Sequence, residues 1–217
     1  MDAQALQLKK EEFIRIYNEN IHRSGADKLL NYLLSEESDF FTAPASTRFH
    51  GNYAGGLLEH SLNVYDCLKA YLARDRVREV YHMDYPAESV AVCALLHDLC
   101  KMNFYTVDYR NSKNAEGKWE KVPYYRVEDR LPYGHGEKSV FMIQFFMHLR
   151  KEEAMAIRWH MGFSGPEDPN TIGRALEQYP LAFALYTADM EASYFMEGSL
   201  SGEEPSRALI ESSPETN

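Results

Sequence analysis

Three features of the sequence predict an all-α fold carrying one β-hairpin arm. Apolar residues recur at helical spacing through most of the 217 positions. One run, SVAVCALL at 89–96, is apolar on every side, as suits a helix buried at a domain centre. A single stretch, Phe104 to Tyr133, breaks the helical period, with the Tyr- and Val-rich NFYTVDYR and KVPYYRVED flanking the turn-like NSKNAEGK.

The elements follow in order. Leu6, Phe13, Ile14 and Tyr17, then Leu29, Leu30, Leu33 and Leu34, mark two leading helices. The small-residue loop TAPASTRFHGNYAGG leads into a helix from Leu57 to about Leu72, with Gly55 and Gly56 at its start. Pro86 opens the central helix at a first-turn position. After the arm, helical spacing resumes over Glu137–His148, Lys151–Met161, about Thr171–Tyr179 and Leu181–Met196. The polar segment 198–217 reads as a flexible tail. Residues 1–40 are thus N-terminal helices packed on a core formed by 41–197, and the length suits one globular domain.

Composition narrows the function classes. A formal charge of −10 and a pI near 5.3 repel polyanions, so extended nucleic acid is disfavoured as a partner, while small anions held by a metal are not. Cys67, Cys93 and Cys100 lie within apolar helical patterns without zinc-like spacing, which suits free buried thiols in a reducing compartment. No apolar run approaches the roughly 18 residues needed to span a bilayer. A soluble cytoplasmic protein without membrane contact is the expectation.

The chemistry begins at ALLHDLCKMNFY, Ala94 to Tyr105, where His97, Asp98 and Lys101 end an apolar run. With 8 His among 217 residues, about 0.4 adjacent His-Asp pairs arise by chance, so position matters more than presence. His97 continues the stripe of Val90, Cys93 and Ala94, and Asp98 that of Ala91, Ala94 and Leu95. A carboxylate driven into such surroundings needs a cation or a hydrogen-bond network. The anomaly recurs: His60 sits on the stripe Leu57, Val64, Leu68; Asp189 on Leu185, Ala192, Met196; and His160 follows Ala156 and Ile157. A single buried histidine is more often a hydrogen-bonded core residue, but several imidazoles and carboxylates converging on one interior point suit one or two divalent metal ions. His135, between two glycines at a helix start, meets the positive end of the helix dipole, which favours the neutral, metal-binding ring. His148 also follows apolar residues but sits at a helix C-terminus, where imidazolium is favoured, and His22 and His82 lie off the apolar stripes, so all three are set aside.

The order His60, His97-Asp98, Asp189 resembles the HD-domain metal-dependent phosphohydrolases, an all-helical family defined by H…HD…D ligands. APASTRFHGNYAGGLLEHSLNV resembles the opening of the HD domain in YhaM-type bacterial 3′–5′ exoribonucleases, and HDLCK their HDxGK motif, with Cys100 where glycine is usual. The likeness covers about Ala43 to Met196 and implies an HD-domain helical bundle with the arm, about 104–133, as an insertion. It implies that His60, His97, Asp98 and Asp189 hold a first metal and that His135 and His160 hold a second, with Asp98 bridging. Two-metal members often show paired histidines near His160, where this chain has Met161. The exonucleases carry an OB-fold before this domain, and here only two short helices are expected, which points away from processive RNA binding.

The resemblance implies hydrolysis of a phosphoester through a metal-activated water. The ion could be Mn, Fe, Ni, Co, Zn or Mg, since ligand type alone does not choose among them. Lys101, three residues after Asp98 and four after His97, can reach a bound phosphate and offset developing charge, or else simply complement a helix end. His50 lies close in sequence to His60 and is a substrate-binding candidate. Phe104, Tyr105, Tyr109, Trp119, Tyr124 and Tyr125 suit stacking on a base, packing on the core, or contact between copies in a homo-oligomer. Three functions fit: a phosphohydrolase or phosphodiesterase acting on a nucleotide or cyclic nucleotide, a nuclease trimming short RNA or single-stranded DNA, and a metal-binding regulatory module.

Overall fold

In the computed structural model, residues 1–197 are described, and the tail expected over 198–217 lies outside the described residues. The central helix α4, Ala87–Leu96, is buried from Ser89 to Leu96, as its all-round apolarity requires. It is walled by α1 (Ala3–Asn20), α3 (Gly56–Leu72) and α6 (Lys151–Arg158). Helix α3 also packs on α8 (Pro180–Glu191), and α8 on α6. The remaining helices are α2 (Ala26–Leu34), α5 (His135–Gln144), against α6, and α7 (Pro169–Gln178), against α8. Pro86 sits at the N-cap, one residue before the helix that the sequence has it open.

Phe13, Tyr17, Leu29 and Leu33, from the two leading helices, share one continuous core with Leu57, Leu95, Ile157 and Leu185. Gly56 has a steric reason: a Cβ there would run into the Gly51 carbonyl, so only glycine lets the 43–55 loop fold back over the start of α3. That return places His50 against His60, their ring centroids 5.0 Å apart.

The arm is a two-stranded antiparallel hairpin, β1 (Tyr105–Lys113) and β2 (Trp119–Val127), in register from Tyr105 opposite Val127 to Lys113 opposite Trp119. Asn114 Oδ1 accepts from the amides of Glu116 and Lys118 and closes the turn. Tyr109 and Trp119 are 60% and 69% exposed, so neither packs on the core. The base of the arm is fixed instead: Lys138 is buried, pairs with Asp129, and lies 4.7 Å from the centroid of the Phe104 ring.

A buried ion pair ties the leading helices to the core. Arg23 grips Glu153 through both carboxylate oxygens at 2.6 and 2.8 Å, and Ser89 Oγ and the Arg150 amide donate to the same group at 2.7 and 2.8 Å. Burial pushes the Glu153 carboxyl up, but these donors, Arg23 foremost, overcome it and hold it below the usual 4.5. Its contribution is therefore full above pH 4.5 and lost as pH falls through the lowered folded-state value. Glu153→Ala leaves Arg23 with Glu88 alone as its carboxylate partner, at 3.1 Å, and is expected to cost about 3 kcal/mol in urea unfolding at pH 7. The gap between wild type and variant should narrow progressively as the pH falls from 4.5 through the lowered folded-state value; a gap that does not change with pH would show that packing, not charge, makes the difference.

Candidate metal centre

The HDLCK motif begins where α4 ends. His97 keeps the helical backbone, Asp98 leaves it at φ −102°, ψ 21°, and Leu99–Lys101 form a single 3-10 turn. The sequence reading carried the motif on the helix; the structure puts it at the C-terminal end, where backbone carbonyls lack intrahelical donors. His97 Nδ1 donates to the Ala94 carbonyl at 2.8 Å. His160, just past the end of α6, does the same to Ile157 at 2.6 Å. Each ring thereby caps a helix and carries its proton on Nδ1, which leaves Nε2 as an electron-pair donor.

These Nε2 atoms face Asp98. Its Oδ2 is 3.5 Å from His97 Nε2 and 3.6 Å from His60 Nε2, and its Oδ1 is 3.5 Å from His160 Nε2 and 2.8 Å from His135 Nε2. His60 Nε2 is 3.2 Å from both His97 Nε2 and Asp189 Oδ1. The six residues nominated as ligands therefore form one connected cluster, in which Asp98 meets the four histidines and Asp189 joins through His60. His60, His97, Asp98 and His160 are buried, whereas the His135 side chain is 34% exposed, so the cluster opens to solvent on that side. Lys101 lies in the 3-10 turn rather than on α4; such a turn brings residues i and i+3 into line, and its Nζ reaches Asp98 Oδ2 at 2.6 Å.

The donor set fits a divalent cation. With Nδ1 protonated, His97 and His160 present Nε2 toward carboxylate oxygens, an acceptor-to-acceptor arrangement that a bound cation relieves, as would a second proton on His160, which burial opposes but Asp98 favours. His160 Nε2 is buried and makes no hydrogen bond to any described residue. Among the described residues, His60/His97/Asp189, His97/Asp98/His160 and Asp98/Cys100/His135 each bring three donor atoms within 4.8 Å of one another, and Asp98 joins the last two sets. Imidazole and carboxylate together suit Zn, Fe, Mn, Ni or Co.

Burial and charge set the protonation states. Burial pushes His97 down to about 3, despite the adjacent Asp98. Burial also opposes imidazolium at His60, yet the Glu197 and Asp189 carboxylates overcome it and hold the ring up at about 10. Asp98 and Asp189 would be raised by burial, but Lys101 and the surrounding histidines hold Asp98, and His60, His97 and His160 hold Asp189, below the usual carboxylate range.

Two contributors escaped the sequence reading. Glu197, beyond the π-turn 192–196 that ends α8, accepts from His60 Nδ1 at 3.1 Å and from Asn63 Nδ2 at 2.9 Å. It fixes the ring that presents Nε2 to the cluster, and no spacing rule pointed to it, because its partner is 137 residues away. Cys100 lies 3.3 Å from His135 Nδ1; its place in HDLCK was the available signal. His50 Nε2 is buried beside His60 without a hydrogen bond to any described residue. His22, His82 and His148 are exposed and away from the cluster.

The chain is 28% identical over 139 residues to the dihydroneopterin 2′,3′-cyclic phosphate phosphodiesterase of Methanocaldococcus jannaschii, an alignment covering 63% of this chain and 49% of that protein. The chain thus spans about half the length of the curated relative it matches. No family model and no solved structure matches it. The relative is a phosphodiesterase, and the buried His/Asp cluster can hold a metal.

Glu197→Gln should weaken divalent-metal binding about 10- to 100-fold in a chelator-competition titration while the helical circular dichroism is unchanged. Unchanged affinity would remove Glu197 from the centre. Because metal must displace the His60 proton held up at about 10, affinity should rise with pH from 7 to 9, with proton release on loading measurable by calorimetry in buffers of different ionisation enthalpy.

Proposed function

We propose that this protein is an HD-type metal-dependent phosphohydrolase that hydrolyses a phosphoester of a nucleotide or cyclic nucleotide. One observation carries the reading: a buried carboxylate, Asp98, faced by the Nε2 atoms of His60, His97, His135 and His160. The phosphodiesterase relative adds support, since its name describes a cyclic phosphate on a nucleotide-like molecule, and it favours a cyclic diester over the RNA ends suggested by the exoribonuclease-like motifs. The net charge of −10 agrees with a small substrate rather than an extended polyanion.

His60, His97, Asp98 and Asp189 would hold one ion and His135 and His160 a second, with Asp98, which has two oxygens, touching both. Such ions, when bound, supply a nucleophilic water at neutral pH and neutralise charge on the phosphoryl oxygens. The chain's own residues supply the rest. Lys101 is opposed by burial, but Asp98 holds its ammonium well above the ordinary lysine range, so it stays charged and cannot serve as a base. Its place is electrostatic, on the phosphoryl oxygens as charge develops. His50, pushed down to about 4 mainly by burial, is neutral at pH 7 and offers a polar ring beside His60 for substrate. The exposed flank at His135 is the side from which a phosphate can approach.

The test is turnover by metal-loaded protein of 2′,3′- and 3′,5′-cyclic nucleotides, nucleoside monophosphates and short oligonucleotides. Hydrolysis of a cyclic or mononucleotide is expected, abolished in Asp98→Ala together with metal binding. Lys101→Met should lower kcat about 100- to 1000-fold with metal content intact. Activity confined to oligonucleotides would move the protein to the nucleases, and an inert but metal-loaded protein would make it a regulatory module.

A further inference from the structure

Cys100 stands where the resembled motif has glycine, and its surroundings give it a use. The side chain is 4% exposed, and its backbone is fixed by a hydrogen bond from its amide to Ser139 Oγ at 3.1 Å. Its Sγ lies 3.3 Å from His135 Nδ1 and 3.8 Å from His135 Nε2, and shares with His135 and an Asp98 oxygen a space in which all three donors are within 4.8 Å of one another. His160 Nε2, fully buried and without a hydrogen bond to any described residue, faces the same Asp98 Oδ1 that His135 meets. The other two thiols lie elsewhere, Cys67 against Met196 and Cys93 against the Glu153 carbonyl.

We propose that Cys100 is a ligand of the metal position defined by Asp98 and His135, making it a mixed nitrogen, oxygen and sulfur site that selects a thiophilic divalent ion, Zn(II) or Fe(II), over Mg(II) or Mn(II). The inference rests on the metal-dependent reading above. An ion bonded to sulfur at about 2.3 Å and to imidazole at about 2.0–2.1 Å spans donor atoms up to about 4.3 Å apart. The separations of Sγ from the two nitrogens of His135 lie inside that reach. On coordination the S–H bond breaks heterolytically, its electron pair forms the metal–sulfur bond, and the proton leaves to solvent. Thiolate donation favours Zn(II) and Fe(II), while Mg(II) and Mn(II) prefer oxygen. A glycine at this position would leave a nitrogen and oxygen site without that preference.

Cobalt reads sulfur ligation directly. Chelator-stripped wild-type protein titrated with Co(II) should develop visible d–d bands together with a near-ultraviolet thiolate-to-cobalt charge-transfer band. Cys100→Ser should keep d–d bands and lose the charge-transfer band, while Cys67→Ser keeps both. In competition, the preference for Zn(II) over Mn(II) should fall at least tenfold in Cys100→Ser. Cobalt bound by the wild type without a charge-transfer band, or a band that survives in Cys100→Ser, overturns the proposal, and the wild-type spectrum decides even if the variant does not fold. A sulfur band in a protein that hydrolyses none of the phosphoesters would uphold the Cys100 assignment and sink the hydrolase reading. Failure to bind cobalt at all would sink both.

Discussion

The structure turns on one buried carboxylate. Asp98 is 2% exposed, and removing a carboxylate from water costs several kcal/mol unless charge and hydrogen bonds replace its hydration. Lys101 supplies a direct ion pair, and the imidazoles that surround it are held there by α3, α5 and α6. The apolar α4 is what forces the problem: by burying every residue from Ser89 to Leu96, it delivers Asp98 to the interior at the point where the helix stops. A carboxylate at the surface would need none of this apparatus and would hold a metal less tightly, because water would screen it.

Helix termini do the positioning. α4 and α6 both end in unpaired carbonyls, and each is capped by a histidine that reaches back three residues, His97 to Ala94 and His160 to Ile157. One contact therefore satisfies the backbone, sets the tautomer and aims Nε2 at Asp98. His60 is held by another means, being inside α3 and locked from behind by Glu197, itself held by Asn63 one turn along the same helix. Asp189, in α8, completes the first group, since α3 and α8 pack side by side. His135, at the start of α5, is the member through which the cluster meets solvent.

Much of this was legible in the sequence because polar residues on apolar stripes are costly and therefore informative. His60, His97, Asp98, His160 and Asp189 each interrupted a helical period, and the structure brings all five together with His135. Element types were equally legible, since helical and strand periodicities differ so clearly on the two sides of Phe104. The end of α4 was not, because His97 keeps helical dihedral angles and nothing apolar marks the change to a 3-10 turn at Leu99. Glu197 was hidden for another reason: its role depends on a contact across the fold, and a glutamate just past a helix reads in isolation as a solvated charge. Cys100 was visible as a departure from a motif, yet its meaning required the position of the His135 ring.

Distance along the arm separates its residues by role. Tyr105, at the base of β1, hydrogen-bonds the Ala45 carbonyl at 3.4 Å and lies within electrostatic reach of Lys101. Lys138, clamped between Asp129 and Phe104, ties that base to α5, the helix that begins with His135. Trp119 pairs with Lys113, eight residues further along β1, which at about 3.3 Å per residue places it roughly 26 Å from the base. The base of the arm, at Phe104 and Tyr105, is therefore the part of the hairpin that adjoins the cluster around Asp98, while the tip is exposed and far from it.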